Sequence, residues 1–110
     1  MTYEQVSEMI ASVGIPYAYY QFDEGTAEPT PFICFYFSDD NSVKADNVNY
    51  VKIQTLVIEL YTDEKDFNLE NRIEGVLDAN ELPYDHVESY IDSEKMLMQT
   101  YTTEVVINGN

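Results

Sequence analysis

Apolar positions follow helical spacing near the start of the chain. The members of this first stripe are Val6, Met9, Ile10 and Val13. Their spacing predicts a helix over residues 3–13. Thr2 is followed three residues later by Gln5, the pattern of a capping box that starts a helix. Gly14 and Pro16 then end the helical pattern, because glycine favours a helix terminus and proline cannot continue the helix.

A second helical stripe lies in the second half of the chain. Its apolar members are Leu69, Ile73, Val76 and Leu77. They predict a helix that Asp63 or Asp66 caps and that runs to about residue 80. Pro83 marks the exit from this helix. The chain therefore has one predicted helix in each half.

Five further runs have the composition and alternation of β-strands. They are residues 17–22, 32–37, 50–61, 85–91 and 95–107. The run 32–37 is continuously apolar, which is typical of a strand covered on both faces. The polar segments 23–31 and 38–49 are predicted to be loops, because turn-forming residues cluster in them.

The predicted order of elements is α-β-β-β-α-β-β. Helices and strands do not alternate regularly in this order. The sequence therefore predicts an α+β fold, with a mainly antiparallel sheet against which two helices pack. A length of 110 residues fits a single domain, residues 1–110.

The charge balance excludes several classes of function. The chain has 21 acidic and 5 basic residues, which give a formal net charge of -16. Nucleic-acid binding by phosphate neutralisation requires clustered lysine and arginine, so we expect none. Docking on an anionic membrane is disfavoured for the same reason. No apolar run approaches the ~20 residues of a membrane-spanning helix, and the N-terminal residues lack the pattern of a signal peptide. We therefore expect a cytoplasmic origin.

Familiar catalytic and metal-binding motifs are missing from the sequence. Cys34, the only cysteine, lies in an apolar run far from His86, the only histidine, and we expect it to be a buried core side chain. The run 39–42 offers oxygen ligands but lacks the spacing and central glycine of a calcium loop, so a solvated loop is favoured. We expect no enzyme activity, no cofactor and no metal site.

One charge pattern suggests a surface with a role. Four carboxylates recur at four-residue steps along the second predicted helix, namely Asp66, Glu70, Glu74 and Asp78. We call them the acidic ridge. Like charges at this spacing cost roughly 0.2–0.5 kcal/mol per pair in isolated helices. The ridge is interpreted either as a solvated flank or as a surface that faces a partner or the lumen of a channel.

Tyrosine is unusually frequent. The chain contains 10 tyrosines and no tryptophan. Tyrosine combines a large contact area with a polar tip, which suits interfaces between subunits. Most of these tyrosines lie in predicted strands, where aromatic residues are favoured in any case. Composition alone leaves both explanations open.

Several stretches resemble tail-completion or tail-terminator proteins of long-tailed phages of Gram-positive bacteria. The first is VKIQTLVIELYT, residues 51–62, which an acidic helix follows. The others are IEGVL, residues 73–77, and YIDSEKMLMQTY, residues 90–101. The opening IPYAYY, residues 15–20, is also similar to this group.

This resemblance implies a small α+β subunit that forms a ring, typically a hexamer. The ring would cap the tail tube and join it to the head connector in the virion, after assembly in the host cytoplasm. Its implied partners are further copies of the chain, the tail-tube protein and the head-connector protein. The family has no catalytic residues. An acidic lumen would repel DNA phosphates rather than hold them.

Other functions remain open from the residues themselves. Within phage assembly, the alternative is a head-side connector or minor capsid protein of similar size. A different class is an acidic inhibitor that mimics DNA and occupies a cationic site on a host enzyme. In such an inhibitor, the carboxylates of the acidic ridge would imitate the regularly spaced phosphates of DNA. An enzyme is third, because no nucleophile with a neighbouring base is visible.

Overall fold

Two helices and six strands make up the described part of the chain, residues 1–22, 28–45 and 48–108 of a computed structural model. In chain order they are α1 (Tyr3–Ala11), β1 (Tyr17–Tyr19), β2 (Phe32–Asp40), β3 (Val43–Ala45), β4 (Val48–Thr62), α2 (Phe67–Ala79), β5 (Tyr84–Ile91) and β6 (Met96–Ile107). The predicted α+β class is confirmed. The predicted order is correct apart from one additional short strand, β3.

Both helices begin at the caps that the sequence indicates. The hydroxyl of Thr2 accepts a hydrogen bond from the backbone N–H of Gln5 at 3.0 Å, and the Gln5 side chain accepts one from the Thr2 N–H at 2.9 Å. This is the predicted capping box. Of the two proposed caps for α2, Asp66 is the one used, since its carboxylate accepts from the N–H of Leu69 at 3.0 Å. Helix α1 ends at Ala11, two residues earlier than predicted.

The strands form one sheet in the order β1-β2-β4-β6-β5, and β3 pairs with β4. Only the short pair β1–β2 is parallel among the described pairings, so the sheet is mainly antiparallel as predicted. β4 lies in the middle because its long apolar run can be buried between neighbours on both sides. β1 and β5 lie at the two edges.

The predicted loop over residues 38–49 is wrong for residues 38–40, 43–45 and 48–49, and residues 46–47 lie outside the described part of the chain. β2 continues to Asp40, and β3 then pairs with the beginning of β4. Backbone pairing with β4 satisfies the hydrogen bonds of this polar segment, although its side chains carry no strand-like alternation. Conversely, β1 stops at Tyr19 rather than at residue 22, because Tyr20 has a positive φ of 68°. The predicted loop over residues 23–31 lies partly outside the described residues.

β4 extends beyond its main partner. It pairs with β6 from Lys52 to Thr62, while Val48 to Val51 pair only with β3. We call β3 and residues 48–51 of β4 the β3–β4 arm. β4 therefore projects beyond the rest of the sheet, whereas β6 is paired with β4 over residues 97–107.

Both helices pack on the same face of the sheet. The core between them consists of Val6, Met9, Ile10, Val13, Ile33, Phe35, Leu56, Ile58, Leu60, Leu69, Ile73, Leu77, Tyr101, Val105 and Ile107. Side chains alternate between the faces of a strand, so their sequence neighbours face the other way. No described helix or strand packs on that opposite face. The prediction that residues 32–37 are covered on both faces holds for Cys34, which is 5% exposed on the opposite face, whereas Tyr36 on that face is only partly buried.

Candidate functional site

The carboxylates of the acidic ridge have different surroundings. Asp66 is the cap of α2, Glu70 is buried with 4% exposure, Glu74 is half-buried and Asp78 is exposed. The two middle carboxylates turn toward the sheet because the helix packs there. The acidic ridge is therefore not a continuous outer surface of the subunit.

Glu70 begins a chain of polar contacts between α2 and the strands β5 and β6. The ammonium group of Lys65 contacts Glu70 Oε1 at 2.9 Å and Glu88 Oε1 at 2.7 Å. The hydrogen bond from Lys65 lowers the pKa of Glu88, and a second bond from Gln99 adds to this effect. Gln99 Nε2 donates to Glu88 Oε1 at 2.7 Å, and Gln99 Oε1 lies 2.6 Å from His86 Nε2.

A second branch of these contacts meets at Glu74. The hydroxyl of Tyr101 donates to Glu74 Oε2 at 2.8 Å. Burial raises the pKa of Tyr101, and this hydrogen bond raises it further. The ring of His86 stacks on that of Tyr101 with centroids 4.3 Å apart, and His86 Nδ1 lies 3.9 Å from Glu74 Oε2. We call Lys65 and the residues of both branches the α2–β5 network; its members are Lys65, Glu70, Glu74, His86, Glu88, Gln99 and Tyr101.

Sequence reasoning missed this network because its parts are far apart along the chain. His86 faces α2 only because the pairing of β5 with β6 places it opposite Tyr101. One signal was present in the sequence: Glu70 and Glu74 are four residues apart and share one side of α2. Their inward direction depends on how the helix docks on the sheet.

Cys34 lies on the other face of the sheet, away from His86. It pairs with Glu59, whose side chain shares that face, and is 5% exposed. The predicted burial of Cys34 is confirmed. Burial raises the pKa of the Cys34 thiol, and the charge of Glu59 raises it further. A thiol with these neighbours is a poor nucleophile, because the reactive thiolate is disfavoured.

Native Cys34 should react slowly with a thiol reagent, because the side chain is buried and the thiolate is disfavoured. Cys34→Ser should lower the free energy of unfolding by on the order of 1–3 kcal/mol, since it buries a hydroxyl in place of a less polar thiol. Labelling kinetics in native buffer and in urea test the first point. Labelling in native buffer as fast as in urea would contradict it.

The sheet face opposite the helices is rich in apolar and aromatic side chains. We call it the open sheet face. Its apolar and aromatic members on the paired strands include Phe32, Cys34, Tyr36, Ile53, Val57, Tyr61, Val87, Met98 and Val106. Val87 and Val106 are 60% and 50% exposed. Branched apolar side chains at such exposure lose contact with water when a partner covers them, which favours binding.

A tyrosine–carboxylate cluster occupies the β2–β4 part of the open sheet face. Tyr61 donates to Glu59 Oε1 at 2.9 Å, and the hydroxyl of Tyr36 lies 3.5 Å from Glu59 Oε2. Phe32 stacks on Tyr61 with centroids 4.8 Å apart, and Tyr20 stacks on Tyr36 at 4.9 Å. The stacked rings hold a broad, flat aromatic surface in place.

The pKa of Tyr61 is raised, first by burial and then by its hydrogen bond to Glu59. The folded protein therefore holds this proton at a pH at which the unfolded chain has lost it. The contribution of Tyr61 to the free energy of unfolding is fully present below about pH 10, the ordinary tyrosine pKa. It decreases as the pH rises above that value. Ultraviolet absorbance of tyrosinate should show at least one group that titrates only when the protein unfolds. Full titration of all tyrosines in the native protein near their ordinary pKa would contradict this.

The sheet also has edges without a full set of partners. β5 is an edge strand of 8 residues, and it pairs with β6 on one side. β1 covers β2 only from Ile33 to Phe35. Among the described strands, nothing pairs with the outer side of β5. An unpaired strand edge presents backbone donors and acceptors to another chain.

Neither described helix is long and apolar enough to cross a membrane. The chain matches no known protein-family model, and no curated protein is significantly similar to it.

Proposed function

We propose that this protein is a structural assembly subunit of a phage tail. In this proposal, copies of the chain form a ring that caps the tail tube and joins it to the head connector. The resemblance of residues 51–62, 73–77 and 90–101 to tail-completion proteins is the starting point. In the fold, these stretches form most of the central strand, part of α2, and the end of β5 with its turn and the first half of β6.

The observation that carries the proposal is the open sheet face. A sheet with both helices on one side leaves apolar and aromatic side chains on the other, and a second copy of the chain is the occupant that we propose for it. Val87 and Val106 lie on this face at 60% and 50% exposure. Tyr20 and Tyr36 form its stacked aromatic part. Aromatic-rich surfaces are typical of interfaces between subunits.

A ring with head-to-tail contacts needs two different contact surfaces on each subunit, and the β3–β4 arm and the edge strand β5 are two such surfaces. Head-to-tail contacts use two different surfaces on each subunit and close into a ring when the rotation permits. The arm and its base carry Lys44 and Lys52, two of the 5 basic residues in the chain. The β5 edge carries Asp85 and Glu88. Opposite charges on the two surfaces would set the direction of the contact.

The placement of the acidic ridge favours assembly over DNA mimicry. A DNA mimic needs carboxylates that face outward at phosphate-like spacing. Glu70 is buried and Glu74 is bound to Tyr101, so two of the four ridge carboxylates do not meet this requirement. A head-side connector or minor capsid protein would use the same surfaces, and binding to purified tail tubes distinguishes it from a tail terminator.

Association of the protein should strengthen as salt is raised from low to physiological concentration. Subunits with a charge of -16 repel one another at low ionic strength, and salt screens this repulsion. Light scattering across this range, with and without purified tail tubes, measures the effect. A strict monomer at every salt concentration, with no affinity for tubes, would rule out the proposed function.

Val87→Lys should abolish this association although it makes the subunit less negative. The substitution places an ammonium group within a contact that is expected to exclude water. Ala79→Lys is the matched control, because it adds the same charge at an exposed position of α2, on the other side of the sheet. Equal association of the two variants would show that the open sheet face is not the contact.

A further inference from the structure

We propose that Glu70, Glu74 and His86 form a binding site for a divalent transition-metal ion, with Zn²⁺ as the reference ion. One ligand atom from each of these residues lies within 4.8 Å of the other two. Glu70 and Glu74 are one helical turn apart on α2, and His86 lies on β5. No metal site is expected from sequence spacing, because the docking of α2 on the sheet brings the histidine to the two acids.

Glu70 supplies the first independent indication of a cation site. The residue is 4% exposed, and its Oε1 is bound by Lys65 at 2.9 Å. Its Oε2 is buried and has no hydrogen-bond partner among the described residues. A buried carboxylate oxygen without a donor is unfavourable. A metal ion beside it would satisfy this oxygen.

The hydrogen-bond geometry of His86 supplies the second indication. Gln99 Nε2 donates to Glu88, so the amide oxygen of Gln99 is the atom that faces His86. Nε2 of His86 must then carry the proton of this 2.6 Å hydrogen bond. In the neutral ring, Nδ1 is left as a lone pair, and it lies 3.9 Å from Glu74 Oε2. The Nδ1 lone pair and the Glu74 carboxylate both carry negative charge density, and a cation bound to both atoms would stabilise them at this distance.

The surroundings match those of a metal-bound histidine. Such a histidine donates its other ring N–H to a fixed acceptor, which sets the tautomer and the ring direction. Gln99, 1% exposed, has this role for His86, and Tyr101 donates to the carboxylate of Glu74. The side chains of His86 and Glu74 retain 27% and 28% exposure, which leaves the ion a path from solvent.

The donor set selects the class of ion. An imidazole nitrogen with two carboxylates suits zinc and its first-row neighbours, whereas calcium and magnesium prefer oxygen ligands alone. Ligand atoms about 2.0–2.2 Å from a zinc ion lie roughly 3–4 Å apart. The present distances of 3.9 Å and up to 4.8 Å need only small side-chain adjustments to reach that range.

Calorimetric titration of the chelator-treated protein with ZnCl₂ tests the proposal. We expect a single ion to bind per chain, with affinity at least tenfold higher than for Ca²⁺ or Mg²⁺. Glu74→Gln and His86→Gln should each weaken Zn²⁺ binding by about 10–100-fold or more. Asp78→Asn is the matched control: it removes one carboxylate from the same helix, outside the proposed site, and should leave binding unchanged. Equal weakening in all three variants would show diffuse attraction to an acidic surface and would overturn the proposal.

His86 gives a second readout that does not depend on affinity. It is the only histidine in the sequence, so the imidazole ¹H–¹⁵N spectrum contains one ring. Before zinc is added, Nε2 should carry the proton. Zinc should then shift the Nδ1 resonance while Nε2 remains protonated. A ring spectrum that zinc does not change, or a shift confined to Nε2, would overturn the proposal. Neither result depends on whether the subunit assembles into a ring.

Discussion

Leu60→Ala is expected to lower the free energy of unfolding by about 2–5 kcal/mol. Leu60 is fully buried near the C-terminal end of β4, where its neighbours across the sheet are Ile33 and Gln99. Truncation removes apolar contacts and leaves a cavity, because the paired strands on both sides cannot close around it. Urea unfolding at low ionic strength, where the subunit is expected to be monomeric, measures the change.

Two adjacent valines of β6 show whether the loss of stability depends on burial of the truncated side chain. Val105 is 1% exposed and faces the helices, whereas Val106 is 50% exposed on the open sheet face. Val105→Ala should be clearly destabilising, and Val106→Ala should change the stability of the monomer by no more than about 0.5 kcal/mol. Equal effects at these two positions would contradict the assignment of the sheet faces.

Glu70→Met is expected to raise the free energy of unfolding of the metal-free protein by about 1–3 kcal/mol. The substitution removes a buried carboxylate, one oxygen of which has no partner, and fills the space with an apolar chain. Lys65 keeps its contact with Glu88 at 2.7 Å, so no cation is left stranded. The same substitution should abolish the proposed zinc binding. The variant would then be more stable than the natural protein but unable to bind zinc.

Urea unfolding in the presence of a chelator, and again with zinc, separates these two effects. Without metal, Glu70→Met should be more stable than the natural protein. Zinc should stabilise the natural protein and leave the variant unchanged, because a ligand stabilises only the state that binds it. Glu88→Gln is a suitable comparison, since it removes an exposed carboxylate of the same network. A large loss of stability in Glu70→Met would show that the carboxylate is fully satisfied in the fold.

The sequence by itself determined the elements whose signals are local. The capping box of Thr2 and Gln5 and the apolar stripe of α1 depend on residues three or four positions apart, so the start of that helix was predicted correctly. The same holds for α2, whose cap Asp66 was one of the two candidates. The long apolar runs of β4 and β6 were recognised as strands because their side chains are suited to a paired, buried environment. The expectation that the chain does not bind nucleic acid rests on composition alone and stays a prediction.

Only the tertiary structure decided which face of each element is covered. β2 and β3 extend through polar residues because β4 supplies backbone partners, and no local pattern records that pairing. The run 32–37 was predicted to be covered on both faces, and only the structure shows that both helices cover the same one. Likewise, Glu70 and Glu74 were read as part of an outer ridge, and α2 docks with them inward. His86 reaches them through the register of β5 on β6. These features depend on contacts between residues distant in sequence, and the spacing of residues along one element carries no information about its partner.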